Sequence, residues 1–171
     1  MAIRDIVKHG DPRLTAPNAE VSAFHDPALA ALIQDLKETC WAAPGLGLAA
    51  PQIGVNLRVA VVDLSIGKDP SKVIVLVNPA VVSASGLVRE EEGCLSLPDL
   101  VEVVDRPESV TVEAFDGSGE KRSWVGTDLL ARAFCHEIDH LNRRLYVERL
   151  SSLKRSLLMR KVAKRKKDGS W

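Results

Sequence analysis

Two histidines four residues apart, with a glutamate beside the first, are the residues whose spacing most directly indicates chemistry. Residues 136–140 read HEIDH, within a segment whose apolar residues recur at helical period. On a helix, positions four apart lie on one face, so His136 and His140 can bind one metal ion. Glu137 can then approach a water molecule bound to that ion and handle its protons. The spacing therefore predicts a hydrolytic metal site.

The third metal ligand is predicted upstream of this segment. No histidine follows His140, and the later carboxylates are poorly placed, since Glu148 is eight residues on and Asp168 lies in a basic segment. Upstream, Cys94 follows a glycine and precedes a short apolar stretch closed by Pro98, which indicates a turn or a strand edge. Two histidines and one cysteine leave a fourth position open to water, as in catalytic rather than structural sites.

A glycine-rich segment, residues 45–54 with the sequence GLGLAAPQIG, supplies a third element. Its first two glycines allow the backbone to approach a ligand closely. Gln52 offers an amide donor where a carbonyl oxygen could accumulate charge. The segment is not a dinucleotide-binding fingerprint, because it lacks the G-x-G-x-x-G spacing and a preceding strand.

In this order, the three segments resemble the motifs of the peptide deformylase family. Its motifs G-x-G-x-A-A-P-Q, E-G-C-L-S and H-E-x-x-H match residues 45–52, 92–96 and 136–140, and the resemblance covers roughly residues 3–155. That family removes the formyl group from the N-terminal formyl-methionine of newly made proteins. The resemblance implies a metal-dependent hydrolase that acts on formylmethionyl nascent peptides and releases formate.

The resemblance also implies roles for several of the motif residues. Glu137 is expected to be the general acid and base, while the Gln52 side chain and the backbone N–H of Leu95 bind the formyl oxygen as it gains charge. The expected metal ligands are Cys94, His136 and His140. In the family the physiological metal is usually Fe(II), and Zn(II), Ni(II) or Co(II) can occupy the site. Tetrahedral cysteine and histidine ligation alone would suggest zinc, so the metal stays open.

The helix face that carries the ligands also predicts a substrate pocket. Leu129 and Ala133 share a stripe with the two histidines, and the small Ala133 leaves room for an unbranched side chain such as methionine. Leu46 is the candidate for the opposite wall, although ordinary core packing would explain the same apolar stripe. The predicted substrate-binding residues are Leu46, Gly47, Gly93, Leu129 and Ala133.

Three positions depart from the family pattern. Cys135 stands where the family usually has glutamine, and Arg143 stands where it usually has glycine. Val101 occupies a position at which some bacterial members carry arginine. None of these removes a ligand, the acid and base, or the amide donor. We expect them to affect packing near the site and some contacts with the substrate backbone.

The elements follow an α+β order: mostly antiparallel strands around a central metal-binding helix, with an N-terminal and a C-terminal helix. The first helix is predicted to start at Pro27 after an Asp26 cap and to end before Pro44. The metal helix is predicted to start at Asp128, with Thr127 as its cap. Strands are predicted where β-branched residues are frequent, in residues 58–64, 72–77, 101–104, 109–115 and 122–125.

The charges divide the chain into two parts. Residues 1–153 carry 22 acidic and 15 basic residues, whereas residues 154–167 carry eight basic residues and no acid. We predict one domain, with a catalytic part in residues 1–150 and a basic C-terminal helix in residues 151–171. Ser151 can cap this helix, and Leu153, Leu157 and Leu158 offer an apolar edge. The helix is either a solvated basic face or, as in some bacterial family members, a surface that binds the ribosome.

The composition and the first residues lead us to expect a cytoplasmic protein, and the resemblance implies a bacterial one. No signal peptide and no membrane span are visible, and three cysteines suit a reducing compartment better than a disulfide framework. We expect a monomer. Two alternatives stay open at this point: a catalytically silent module that docks on ribosomal RNA, and a general metallopeptidase. The intact motifs disfavour the first, and the missing downstream ligand disfavours the second.

Overall fold

The computed structural model describes residues 2–171, and it has the predicted α+β architecture. Its helices are α1 (Pro27–Ala42), α2 (Asp128–Leu141) and α3 (Ser152–Lys167). Its strands are β1 (Gly47–Ala49), β2 (Val59–Val62), β3 (Ile74–Ser85), β4 (Val88–Cys94), β5 (Leu97–Arg106), β6 (Ser109–Phe115) and β7 (Lys121–Thr127). Within residues 2–171, no helix is both long and apolar enough to cross a membrane.

The strands form two antiparallel groups that surround α2. The larger sheet has five strands in the order β1-β2-β3-β6-β7, and β4 and β5 form a separate hairpin. Helix α2 packs against β1, β2 and β7, and most of its length is buried. The prediction of antiparallel strands around a central metal-binding helix is confirmed.

Helix α1 begins and ends where the sequence predicts. The Asp26 side chain accepts a hydrogen bond of 2.8 Å from the backbone N–H of Ala28, and Pro27 occupies the first helical position. The helix ends at Ala42, just before Pro44. Its buried leucines and isoleucine pack with residues of β1 and β2 in one apolar cluster.

Several strands extend beyond their predicted bounds, and two were not predicted. Strand β3 continues past Pro79 to Ser85, because a bulge between Val77 and Ala80 removes the need for a proline N–H in the ladder. Strand β1 is only three residues long. Strand β4 is mostly polar and exposed, so its sequence has no apolar alternation from which to predict it.

Helix α2 starts at Asp128 as predicted, but Thr127 does not cap it with its side chain. Thr127 precedes the helix, but its side chain makes no capping hydrogen bond. Thr127 is still paired with Ser109 as the last residue of β7. Asp128, with φ 51°, instead turns the chain directly from strand into helix, and its N–H donates to the carbonyl of Glu108 at 2.9 Å.

Helix α3 packs on the body through a different face from the predicted one. Ser151 caps it as expected, accepting from the N–H of Lys154 at 3.4 Å. Leu158 is buried, but Leu153 and Leu157 are 69% and 48% exposed, so the prediction for those two is wrong. The other buried apolar residue of α3 is Val162, which lies one turn after Leu158 on the same face of the helix.

Candidate active site

Helix α2, strand β1 with the turn after it, and the β4–β5 hairpin enclose one cavity of about 430 Å³. It brings the three sequence motifs together. Ten of the predicted site residues line it, namely Leu46, Gly47, Gln52, Gly93, Cys94, Leu95, Leu129, Ala133, His136 and Glu137. His140 does not line the cavity and is fully buried.

The predicted metal ligands converge beside this cavity, which Cys94 and His136 line. The Cys94 Sγ lies 3.3 Å from the His140 Nε2, and the two histidine Nε2 atoms are 3.2 Å apart. All three ligand atoms lie within 4.8 Å of one another, and all three residues are buried. One thiol and two imidazoles at this separation fit a single divalent transition metal, which prefers nitrogen and sulfur donors.

A buried carboxylate fixes the orientation of His136. The Glu92 Oε1 lies 2.7 Å from the His136 Nδ1, which leaves the Nε2 of that ring turned toward Cys94 and His140. Carboxylates commonly hold a metal-binding histidine in this way. Burial opposes the ionisation of Glu92, but hydrogen bonds from Arg106 and His136 outweigh it and hold the Glu92 pKa well below its usual range.

Glu92 belongs to a buried network of charges behind the ligands. Arg106 donates two hydrogen bonds to Glu92, at 2.9 and 2.6 Å, and one to Asp139 at 2.6 Å. Arg132 also donates to Glu92 at 2.9 Å, and Arg149 donates twice to Asp139. Each buried charge therefore has a partner of opposite sign, as buried ions require.

The sequence prediction gave these network residues no role, although two of them carried a signal. Glu92 is two positions before Cys94 on a strand, so both side chains point to the same face. Asp139 is three positions after His136 on the helix. Arg106 has no such local signal, because its pairing depends on how distant segments pack.

Glu137 is buried beside the predicted metal ligands. Its Oε2 has no hydrogen-bond partner among the described residues. Burial raises the pKa of Glu137 to about 7, against the opposing effect of the positive charge of His136. The backbone of Gly47 approaches it so closely that a Cβ atom there would lie 2.5 Å from the Glu137 Oε1. The absence of a side chain at Gly47 therefore lets the Glu137 carboxylate occupy this position.

The Gln52 side chain is held with its amide N–H group directed toward Cys94. Its Oε1 accepts from the backbone N–H of Ala49 at 2.9 Å, which fixes the amide orientation. Its Nε2 lies 3.3 Å from the Ser96 Oγ and 3.6 Å from the Cys94 Sγ. Leu95, the next residue after Cys94, lines the cavity and packs against Gly45.

The cavity has further lining residues that the sequence did not single out for substrate binding. They are Gly45, Glu91, Glu92, Leu97, Pro98, Asp99, Leu100, Val101 and Arg132. Val101, one of the departures from the family pattern, is thus at the cavity and half exposed. Cys135, a second departure, lines a separate cavity with Arg58 and Pro79. Arg143, the third, follows the end of α2 with a φ of 63°.

Comparisons with known proteins all point to one family. The polypeptide deformylase family profile matches residues 3–156. The peptide deformylase of Acidobacterium capsulatum is 48% identical over 171 residues and covers 100% of both chains. Peptide deformylase 1 of Vibrio vulnificus is 43% identical over 168 residues and covers 98% of each.

Solved structures show the same fold. A peptide deformylase from Legionella pneumophila has a TM-score of 0.91 at 45% identity, covering 99% of this chain and 98% of its own. A peptide deformylase from Synechococcus elongatus in complex with actinonin has a TM-score of 0.87 at 37% identity, and the match covers 94% of this chain and 88% of that one. The chain described here is therefore a hydrolase that belongs to the peptide deformylase family.

Proposed function

We propose that this enzyme removes the formyl group from the N-terminal formyl-methionine of newly synthesised proteins and releases formate. The observation that carries the proposal is the single cavity shared by the three motifs. A buried carboxylate with a free oxygen, a fixed amide donor and three convergent metal ligands all lie in it or directly beside it. This is the set of groups that hydrolysis of a small amide needs.

In this proposal, Cys94, His136 and His140 hold one divalent metal. When bound, the metal acts as a Lewis acid that acidifies water and polarises the formyl carbonyl group. Iron(II) is the physiological metal that we propose, from the resemblance to the family, and zinc(II), nickel(II) or cobalt(II) are its alternatives. The Glu92 carboxylate keeps the His136 ring in the orientation for binding.

Glu137 carries the proton from water to the leaving group. Its pKa of about 7 lets it accept a proton near neutral pH and then release it. Water adds to the formyl carbon as Glu137 takes its proton, and the carbon–nitrogen bond then breaks. The same proton passes to the departing amine, so formate and a free N-terminus result.

Gln52 and Leu95 stabilise the negative charge that develops on the formyl oxygen. The Gln52 Nε2 and the backbone N–H of Leu95 are the proposed donors, and an amide donor in this role typically contributes about 3 kcal/mol to the transition state. Gly47 and Gly93 have no side chains, so they allow the backbone of the substrate peptide to come close to the cavity wall. Leu46, Leu129 and Ala133 are the proposed walls for the methionine side chain.

We also propose that α3 binds a polyanion, namely ribosomal RNA near the peptide exit, in the cytoplasm. Five of its cations are exposed and form neither an ion pair nor a contact with an aromatic ring in the described structure: Arg155, Arg160, Lys161, Lys164 and Lys167. Binding through several phosphates would weaken steeply with salt through counterion release. Replacing these five residues by glutamine should abolish co-sedimentation with ribosomes at low salt. Unchanged co-sedimentation would mean that α3 is only a solvated basic surface.

The test of the main proposal is formate release from formyl-Met-Ala-Ser by anaerobically purified, metal-loaded enzyme, with metal analysis of the same sample. We expect formate from this peptide and no cleavage of internal peptide bonds. Cleavage of internal bonds would point to a general metallopeptidase. The absence of any formate release from metal-loaded enzyme would contradict the proposal.

A further inference from the structure

One wall of the catalytic cavity is the first part of β5, residues 97–101, which we call the β5 wall. Each of its five residues lines the cavity. Asp99, at its centre, has a φ of 56°, a conformation that is uncommon for a residue other than glycine. A backbone in this conformation persists only where its surroundings hold it.

Helix α3 lies behind the β5 wall and contacts it through Arg165. The Arg165 Nη1 donates a hydrogen bond of 2.7 Å to the carbonyl of Pro98, the residue just before Asp99. The same nitrogen lies 3.9 Å from the Asp99 carboxylate. On the far side of Asp99, the hydroxyl of Tyr146 donates to the carbonyl of Leu100 at 2.8 Å. The unusual backbone at Asp99 is thus held on both sides.

Apolar packing joins α3 to the same wall. Leu97 and Leu100 share one buried cluster with Leu158 and Val162 of α3, and this cluster also contains Cys94. Trp171 packs against the cluster. The second half of α3 is therefore attached to the body, and its position and that of the β5 wall depend on each other.

Arg165 differs from most cations of α3 in what it contacts. Its side chain is 29% exposed and reaches the backbone of the cavity wall. Lys154 also contacts β5, but it pairs with the side chain of Glu102 beyond the cavity. Arg160, five positions before Arg165, is exposed and has no ion pair in the described structure, which makes it the matched control.

We propose that Arg165 is a positioning residue that holds the β5 wall in the conformation that receives the peptide substrate. The proposal rests on the function proposed above. Among the described residues, no hydrogen bond or ion pair joins Arg165 to the metal ligands, Glu137 or Gln52. Its removal should therefore weaken substrate binding and leave the chemical step unchanged. Truncation of the chain before Arg165 would remove its contact with the Pro98 carbonyl as well as the basic charges of α3.

The test compares full-length, metal-loaded Arg165→Ala, Arg165→Lys and Arg160→Ala with the parent enzyme. For Arg165→Ala we expect KM for formyl-Met-Ala-Ser to rise about three- to tenfold, the scale of one net hydrogen bond. The kcat and the metal content should not change. Arg165→Lys should recover part of the affinity, because an ammonium group can still donate to the Pro98 carbonyl. Arg160→Ala should match the parent in this assay, because the assay contains only the free peptide and no RNA.

A second readout does not depend on catalysis. The backbone amides of Asp99, Leu100 and Val101 should exchange hydrogen faster in Arg165→Ala than in Arg160→Ala. Equal KM and equal exchange in these two variants would overturn the proposal, and so would a fall of kcat together with metal content. If the parent itself releases no formate, the proposed function fails, and the exchange comparison alone decides the role of Arg165.

Discussion

The close approach of Gly47 to Glu137 gives the sharpest mutational prediction. A Cβ atom at Gly47 would lie 2.5 Å from the Glu137 Oε1 and 2.9 Å from its Cδ and Cγ atoms. Ordinary van der Waals contact begins at 3.4 Å, so in Gly47→Ala the carboxylate must withdraw by about 0.9 Å. Glu137 is buried but lines the catalytic cavity, so its carboxylate would withdraw into the space in which the substrate is proposed to bind.

A displacement of this size should act on catalysis far more than on folding. A misplacement of about 1 Å in a catalytic group can lower the rate roughly a hundredfold. We therefore expect kcat for formyl-Met-Ala-Ser to fall about a hundredfold in Gly47→Ala. The metal content should be unchanged, because the three atoms nearest to the added Cβ all belong to Glu137, which is not a proposed metal ligand. Alanine suits a strand backbone at least as well as glycine, so the melting temperature should change little.

The assay is steady-state formate release with metal-loaded enzyme, beside metal analysis and thermal unfolding of the same samples. Gly117→Ala is the matched control, since a Cβ there would meet only Ile33 and Val75, at 3.4 and 3.8 Å. It should behave like the parent enzyme. A Gly47→Ala enzyme with full kcat would refute the reasoning that the β1 backbone sets the position of Glu137.

Three further substitutions test other parts of the site. Gln52→Leu should lower kcat more than it raises KM, because its hydrogen bond strengthens as charge develops on the oxygen; an effect on KM alone would make Gln52 a substrate-binding residue. Since the pKa of Glu92 is held below its value of 4.5 in a free chain, its charge stabilises the fold above that pH, and this stabilisation is lost as the pH falls. Urea unfolding of metal-free protein should therefore show the gap between parent and Glu92→Gln narrowing from pH 6 to pH 3, and a constant gap would contradict this sign. Arg143→Gly should raise the free energy of unfolding by about 0.5–1 kcal/mol, because glycine accepts a φ of 63° without strain, whereas Arg144→Gly should not.

The parts of the site that could be predicted from sequence are those encoded in short segments. The spacing of His136 and His140 fixes their common face on any helix, and the glycine before Cys94 indicates the end of a strand. Gln52 could be proposed as a donor because it follows a glycine-rich turn. In each case the neighbours in sequence are also the neighbours in space.

The parts that could not be predicted depend on contacts between distant segments. Arg106 joins Glu92 to Asp139 only because the β4–β5 hairpin packs against α2. The contact of Arg165 with the Pro98 carbonyl depends in the same way on where α3 docks. Strand β4 is polar and exposed, so its pairing with β5, and not its own composition, makes it a strand.

The central claim is that Glu137 moves the proton while three other residues hold the metal. The most direct measurement is the metal content and formate release of Glu137→Ala, compared with the parent enzyme after the same anaerobic loading. The account predicts unchanged metal content and the loss of almost all turnover. Loss of the metal from this variant, or turnover equal to that of the parent, would contradict it.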